Sequence, residues 1–327
     1  MFMKTRSKNS SFGLVCFLVA LLIVSVTVCC VVSIDFGKKA DDWNVITEFS
    51  VVDSLPNGNG EKVKIILLNG QSNASGVANF TYLRSSLNAS EISTYENGFS
   101  NIYINYFCEN GNHSSSGKFE NVKIGQGCSS EHFGPELGIA KTLSSMSPGE
   151  TYVILKYSWG GSNLYEQWRA PSSVGKTGEM YEAFINFTRT NMEYLRAKNY
   201  NAEIVAMCWM QGESDAFDIG IANAYYDNLS SLVSNARNDL SPYIQSNGMY
   251  FIDAGISDSP YWTYYQLINN AKHEFAATNP KNVYIDTVSI GLSYRNEPFD
   301  EPDLAHYDSA SELLLGELFA ENILLIS

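Results

Sequence analysis

The sequence has no Cys-x-x-Cys pair. His273-Glu274 begins like the His-Glu-x-x-His helix of a zinc hydrolase, but the second histidine is missing. A zinc or dithiol redox centre is therefore not indicated. Gly175-Lys176-Thr177 ends like a phosphate-binding loop, yet Ala170 stands where its first glycine belongs and no strand precedes it. No internal repeat is found. Charge is sparse: 17% of the residues are charged, against 45% hydrophobic and 13% aromatic, a balance that excludes a disordered body. Basic residues are the scarcer sign, 21 against 35 acidic, for a net charge of −14. With the three basic residues and one acidic residue before position 36 set aside, 18 basic and 34 acidic residues remain, a net −16. That deficit argues against nucleic acid and against substrates held over a broad polyanionic surface. It leaves room for a small pocket that admits one carboxylated sugar.

What is present divides into a short N-terminal part and a long body. Lys4, Arg6 and Lys8 precede an uncharged run of 23 residues from Phe12 to Ile34. Signal-peptide cores have roughly 7–15 apolar residues, whereas about 18 or more can span a bilayer. Residues 1–35 are thus expected to be a cytoplasmic tail with a signal anchor, or else a cleaved signal peptide, since Val31 and Ser33 are small. In both cases the basic flank places the N-terminus in the cytoplasm and the body outside it. The body is then the extracellular or lumenal part of a single-pass membrane protein, or it is secreted. Asn79, Asn88, Asn112, Asn186 and Asn228 each begin a glycosylation triplet, in keeping with export. Asn73 does too, but it lies within a motif described below. Residues 36–60 read as a connector ending in the turn Pro56-Asn57-Gly58-Asn59-Gly60. Cys16, Cys29 and Cys30 lie in or beside the apolar run. Cys108 and Cys128 flank a polar loop and are placed for a disulfide in an oxidising compartment, while Cys208 reads as a buried thiol.

From residue 61 to 327 apolar runs of strand length alternate with helical spacing. Strands are expected at 63–69, 152–157, 202–210, 249–254 and 283–288, and helices at 133–146, 179–198, 221–240, 262–277 and 309–325. This alternation predicts one α/β domain, a three-layer α/β/α sandwich around a five-stranded parallel sheet. The segment 77–132 is polar and weakly periodic, and reads as an insertion that lines the site. In such sheets ligands bind beyond the carboxyl ends of the strands, so the residues that follow each strand carry the functional information.

The first strand ends in Asn69-Gly70-Gln71-Ser72-Asn73-Ala74, near the Gly-x-Ser-x-Gly nucleophile elbow but with alanine for the last glycine. Alone it is as readily a Ser/Asn turn. The second ends in Ser158-Trp159-Gly160-Gly161-Ser162, where paired glycines admit backbone N–H groups to a ligand. The third ends in Gln211-Gly212-Glu213-Ser214-Asp215. An amide there can donate to a developing oxyanion, while Ser214 or Asp215 can cap the next helix. After the last strand comes Asp303-Leu304-Ala305-His306-Tyr307, whose Asp-x-x-His spacing lets the carboxylate fix the imidazole while the other ring nitrogen takes a serine proton. His113, in a Ser/Asn loop, reads as solvated, and His132 as a surface residue.

Taken together, Gly70–Asn73, Phe133–Glu136, Gly160–Ser162 with Trp168, Gln211–Asp215 and Asp303–Tyr307 resemble the blocks of SGNH hydrolases. The resemblance is to the branch of sialate O-acetylesterases and plant-type acetylxylan carbohydrate esterases. It runs from about Val63 to the C-terminus. It implies Ser72 as nucleophile, His306 as base and then acid, and Asp303 as its orienting group. It implies an oxyanion hole from the Ser72 N–H, the Gly160 N–H and the Gln211 side chain. It also implies structural or substrate-positioning roles for Gln71, Asn73, Glu136, Gly161 and Glu213. Ser162 replaces the usual threonine and Ala74 a frequent methionine. The implied activity is hydrolysis of O-acetyl esters of a carbohydrate through an acetyl-enzyme, with no metal or organic cofactor. Acyl transfer or a non-sugar ester is the alternative on the same triad. A catalytically silent carbohydrate-binding protein is the alternative in another class, but such a protein needs none of these groups together.

Overall fold

Apolar runs that are buried on both faces pair in parallel, and that is how this sheet is built. The computed structural model describes residues 43–326. Its strands are β1 (Lys62–Gly70), β2 (Phe99–Cys108), β3 (Thr151–Ser158), β4 (Asn201–Met210), β5 (Tyr250–Ala254) and β6 (Asn282–Ile285). All six are parallel, in the spatial order β6-β5-β4-β1-β3-β2. Two short antiparallel strands beside β2, His113–Ser114 and Glu120–Val122, complete an eight-stranded sheet.

The sheet is thus larger than the five strands expected. The addition, β2, lies in the segment read as an insertion. Its mid-strand Asn105 is 1% exposed and made tolerable by Asn191, which accepts from its amide at 2.7 Å, and by the Ser115 hydroxyl, which donates to it at 2.6 Å. A polar residue satisfied by a partner far along the chain, here Asn191, conceals a strand from any reading of periodicity.

The helices include α1 (Ser72–Ser75), α2 (Phe80–Arg84), α3 (Ala89–Asn97), α4 (Pro135–Met146), α5 (Glu179–Ala197), α6 (Tyr225–Asp239), α7 (Tyr265–Ala277) and α8 (Ser309–Ile326), with shorter turns of helix at Ile219–Asn223 and Thr287–Ile290. The helix expected over 221–240 is interrupted at Ala224. The preceding turn, Ile219–Asn223, is capped by Asp218, which accepts from Gly220 and Ile221, and not by Ser214 or Asp215. Helices cover both faces of the sheet. Adjacent residues of a strand point to opposite faces. Lys156 reaches Glu136 of α4 at 2.7 Å, whereas Tyr157 packs on Phe187 of α5 at 6.1 Å between ring centroids. The Lys156–Glu136 pair is wholly buried. Glu312 of α8 lies near it, with burial pushing its carboxyl well up.

The described part of the connector lies along the domain. Phe49 packs between Phe107 and Phe187, Val52 donates to Gly117 O, and the Tyr194 hydroxyl accepts from Ser54 and Leu55. The apolar run Phe12–Ile34 lies outside the described residues. Among those described, no helix is long and apolar enough to cross a membrane. Cys108 is a free, buried thiol that accepts from the Ser158 hydroxyl at 3.3 Å, so the disulfide to Cys128 considered from the sequence is absent.

α4 and α8 cross at two glycines. A Cβ on Gly316 would lie 2.1 Å from Pro135 O, and one on Gly138 would lie 2.0 Å from Leu313 O. Backbone meets backbone here, so nothing flexible can give way. Gly316→Ala is expected to lower stability by about 1–3 kcal/mol or more through overpacking, read as a shift of the urea midpoint at unchanged slope. An unchanged midpoint would show that the crossing can open without loss.

Candidate active site

The site grows from the point where strand order reverses. β1 pairs with β3 on one side and β4 on the other, and Gly70 stands in register with Ser158 and Met210. Beyond a reversal of this kind the loops diverge and leave a crevice. Gly70 has φ +144°, and a Cβ there would lie 1.9 Å from Met210 O. Only glycine lets the chain turn out of the sheet this sharply, and the turn delivers Ser72 as the first residue of α1.

Ser72 is 7% exposed, in keeping with a group at the floor of a crevice. From the far end of the chain, the Asp303 carboxylate meets His306 Nδ1 at 2.5 Å. The Asp303 carboxylate also accepts from the Ala305 N–H at 2.9 Å. Burial alone would raise the Asp303 carboxyl. The hydrogen bond and charge of His306, with the Ala305 N–H, more than reverse this and hold it below the usual carboxylate range. The pair is thus arranged to keep a carboxylate facing Nδ1.

Asn73 joins the two segments. Its Oδ1 accepts from the Tyr307 N–H at 3.2 Å, and its Nδ2 donates to Glu213 Oε1 at 2.7 Å. One side chain, next in sequence to Ser72, thereby grips the residue next to His306 and the loop after β4. Three of the expected blocks are brought together in this way.

A second network fixes the loops after β3 and β4. The Asp215 carboxylate accepts from the Leu164 N–H at 2.8 Å, the Tyr165 N–H at 3.0 Å and Gln211 Nε2 at 2.6 Å. Burial pushes its carboxyl up to about 6 even though these donors pull it down. Gln71 Oε1 accepts from Gln211 Nε2, Gly212 N and Ser214 N at 3.2–3.3 Å. The Trp168 indole donates to Ser162 Oγ at 2.8 Å, and that hydroxyl donates to Trp159 O at 2.6 Å.

Several of the expected site residues are occupied with one another. Gln71, Asn73, Glu136 and Glu213 are at most 3% exposed, and each bonds within the protein. Gly161, at φ +71°, has open space where a Cβ would point. The Gln211 amide nitrogen already has three acceptors within 3.2 Å, the third being Ser162 O. The Gly160 N–H donates to the Glu109 carboxylate at 2.9 and 3.1 Å. Glu109 was not singled out from the sequence, where it lies within the segment 77–132 read as an insertion. The nearby histidines serve the loops. His132 Nδ1 pairs with Ser129 Oγ at 2.6 Å, and His113 packs on Tyr106 and bonds Gly125 O at 2.9 Å rather than standing in solvent.

Asn73→Ala is expected to leave a buried carboxylate oxygen and a buried N–H without partners. Each such group costs about 1–3 kcal/mol. Glu213→Gln keeps the acceptor, and burial already pushes the Glu213 carboxyl up toward its neutral form. It should be close to neutral. Urea denaturation of both variants checks this ordering, and the reverse ordering would contradict it.

Comparison with known proteins gives the family and the fold. A family model described as "Carbohydrate esterase, sialic acid-specific acetylesterase" matches residues 62–325. "Probable carbohydrate esterase At4g34215" of Arabidopsis thaliana is 29% identical over 128 residues, 37% of this chain and 45% of that protein. The chain therefore spans less than half the length of that curated relative. The solved structure of the Arabidopsis protein superposes with a TM-score of 0.59 at 20% identity, covering 83% of this chain and 99% of that one. NanS gives 0.61 at 17% identity over 82% and 98% of the two chains. XAC1771, a carbohydrate acetylesterase from Xanthomonas citri, gives 0.53 at 14% over 81% and 56%. These superpositions establish the shared fold, and with the family match spanning nearly the whole described domain, the chain belongs to the carbohydrate esterase family of sialic acid-specific acetylesterases.

Proposed function

We propose that the protein is a serine esterase that releases acetate from an O-acetylated carbohydrate, with Ser72, His306 and Asp303 as its working groups. The observation that carries this reading is the Asp303–His306 pair, tied through Asn73 and Tyr307 to the turn that begins with Ser72. With Nδ1 facing the carboxylate, Nε2 is the nitrogen left to take the serine proton. Oγ then bonds the acyl carbon as His306 receives that proton. Asp303 stabilises the imidazolium. When the ester C–O bond breaks, His306 returns the proton to the departing sugar oxygen. A water deprotonated by His306 attacks the acetyl-enzyme, acetate leaves, and Ser72 regains its proton. The oxyanion draws on the Ser72 backbone N–H, which as the first of α1 has no partner within the helix, and on the Gly160 N–H.

The family description favours sialate esters, and the open space before Gly161 gives a bulky sugar room beside the oxyanion donors. The uncharged run Phe12–Ile34 behind a basic flank supports an exported, anchored glycoprotein. Asn88, Asn112 and Asn186 are exposed acceptor positions, whereas Asn73 is 3% exposed and closed to a glycan.

The full-length chain, purified in mild detergent, is expected to release acetate from 4-nitrophenyl acetate and from O-acetylated sialic acid in preference to acetylated xylan. Ser72→Ala should abolish release, and Asp303→Asn should lower kcat by about 10⁴-fold with the fold intact. A folded wild type that releases no acetate from any of the three, or a Ser72→Ala variant that keeps the rate, would overturn the reading.

A further inference from the structure

Glu109 stands at the end of β2, one strand outward from β3, and its carboxylate reaches the loop after β3. Both of its oxygens lie within hydrogen-bond range of the Gly160 N–H, at 2.9 and 3.1 Å. The nearer one also accepts from the Ser75 hydroxyl at 2.7 Å. A Cβ on Gly160 would lie 3.3 Å from that oxygen and 3.5 Å from Ser72 Cβ. The carboxylate and the Ser72 side chain therefore share the same side of Gly160. A carboxylate is also the head group of acetate. Held there, it takes the donor that an acyl oxygen would use, and in its ionised form it sets a negative charge beside the one that must develop, an unfavourable pairing.

The turn that presents Glu109 is unusual. Glu109, Asn110 and Gly111 have φ of +52°, +55° and +83°, and non-glycine residues rarely occupy this region. Such a turn persists when neighbours hold it. Two neighbours do so: Asn110 Oδ1 accepts from the Ile46 N–H at 2.9 Å, and its Nδ2 donates to Asn44 O at 3.1 Å. One residue earlier, Trp43 packs edge-on against Trp159 at 5.0 Å. The segment leading in from the N-terminus thus touches both sides of the Glu109–Gly160 contact.

We infer that Glu109 is a displaceable internal occupant of the Gly160 oxyanion donor, held in place by the 43–46 strap through Asn110. The inference rests on the esterase reading above, which makes Gly160 a donor to the substrate. The acyl oxygen enters by exchanging with the Glu109 carboxylate, and loosening the strap favours that exchange. No covalent step is involved.

The test uses the full-length chain as wild type, Ser72→Ala, Glu109→Ala, Glu109→Gln and Asn110→Ala. Hydrolysis of 4-nitrophenyl acetate is followed with and without added sodium acetate. Glu109→Ala should raise kcat/KM and lower the acetate concentration for half-inhibition, each by about tenfold, short of the roughly 10²–10³-fold that outright loss of one such donor costs. Asn110→Ala should shift both in the same direction by less. Glu109→Gln should fall between wild type and Glu109→Ala, because an amide oxygen holds an N–H less strongly than a carboxylate does. Glu109→Ala with a native circular dichroism spectrum but slower turnover, or unchanged acetate inhibition, would overturn the inference and make Glu109 a support of the loop. If Glu109→Ala does not fold, Glu109→Gln and Asn110→Ala decide it by the same two readouts. An active wild type indifferent to all three changes refutes the occupant alone. A wild type no faster than Ser72→Ala refutes the esterase reading, and the occupant with it.

Discussion

The architecture of the site depends on the side chain of Asn73. Two of its polar atoms hold a backbone N–H beside His306 and a carboxylate on the loop after β4, residues that lie 234 and 140 positions away in the chain. Strand ends in a parallel sheet diverge at the switch point, and nothing in the ladder itself holds their loops together. A single amide that both accepts and donates converts three separate loop ends into one constellation. The second network, centred on Asp215 and Gln211, does the same for the loops after β3 and β4. Between them they fix the loops on either side of Ser72.

This division of labour explains why so many polar residues near the site are buried. Gln71, Glu213 and Asp215 are within 3% of complete burial; Gln71 and Asp215 offset their desolvation with named partners, whereas Glu213 is held through Oε1 alone and its Oε2 is buried without a partner. Deeper in the domain, Lys156 and Glu136 form a wholly buried pair, and Glu136 also accepts from the Gly134 N–H at 2.8 Å, fixing the start of α4. Such pairs add little net stability but tolerate loss of one partner badly. Rigid support of this kind lets a catalytic geometry survive at the ends of loops.

Much of the fold was legible because its strongest signals were local. Five of the six parallel strands stood out as apolar runs, and five of the helices by their spacing, with ends within a few residues of those observed except at Ala224. β2 was hidden because Asn105 interrupts its apolar face and is satisfied by Asn191, 86 residues away. The Asp303–His306 pairing was legible because three-residue spacing is a property of one turn. The embrace of Gly160 by Glu109 was not, since it joins residues 51 apart, one of them in the segment read as an insertion. Gln211 stood out as an amide at a strand end, but its three protein acceptors belong to the folded loops alone.

The proposed reaction turns on one covalent event, the transfer of an acetyl group to Ser72. Mixing the full-length chain with an activated acetyl ester, quenching in acid within the first turnover and mapping the peptides by mass spectrometry tests it directly. The account predicts the mass of one acetyl group on the peptide containing Ser72, in proportion to enzyme and lost on longer incubation. Acetate release with the acetyl group on another residue, or with no acetylated peptide at any time, would contradict it.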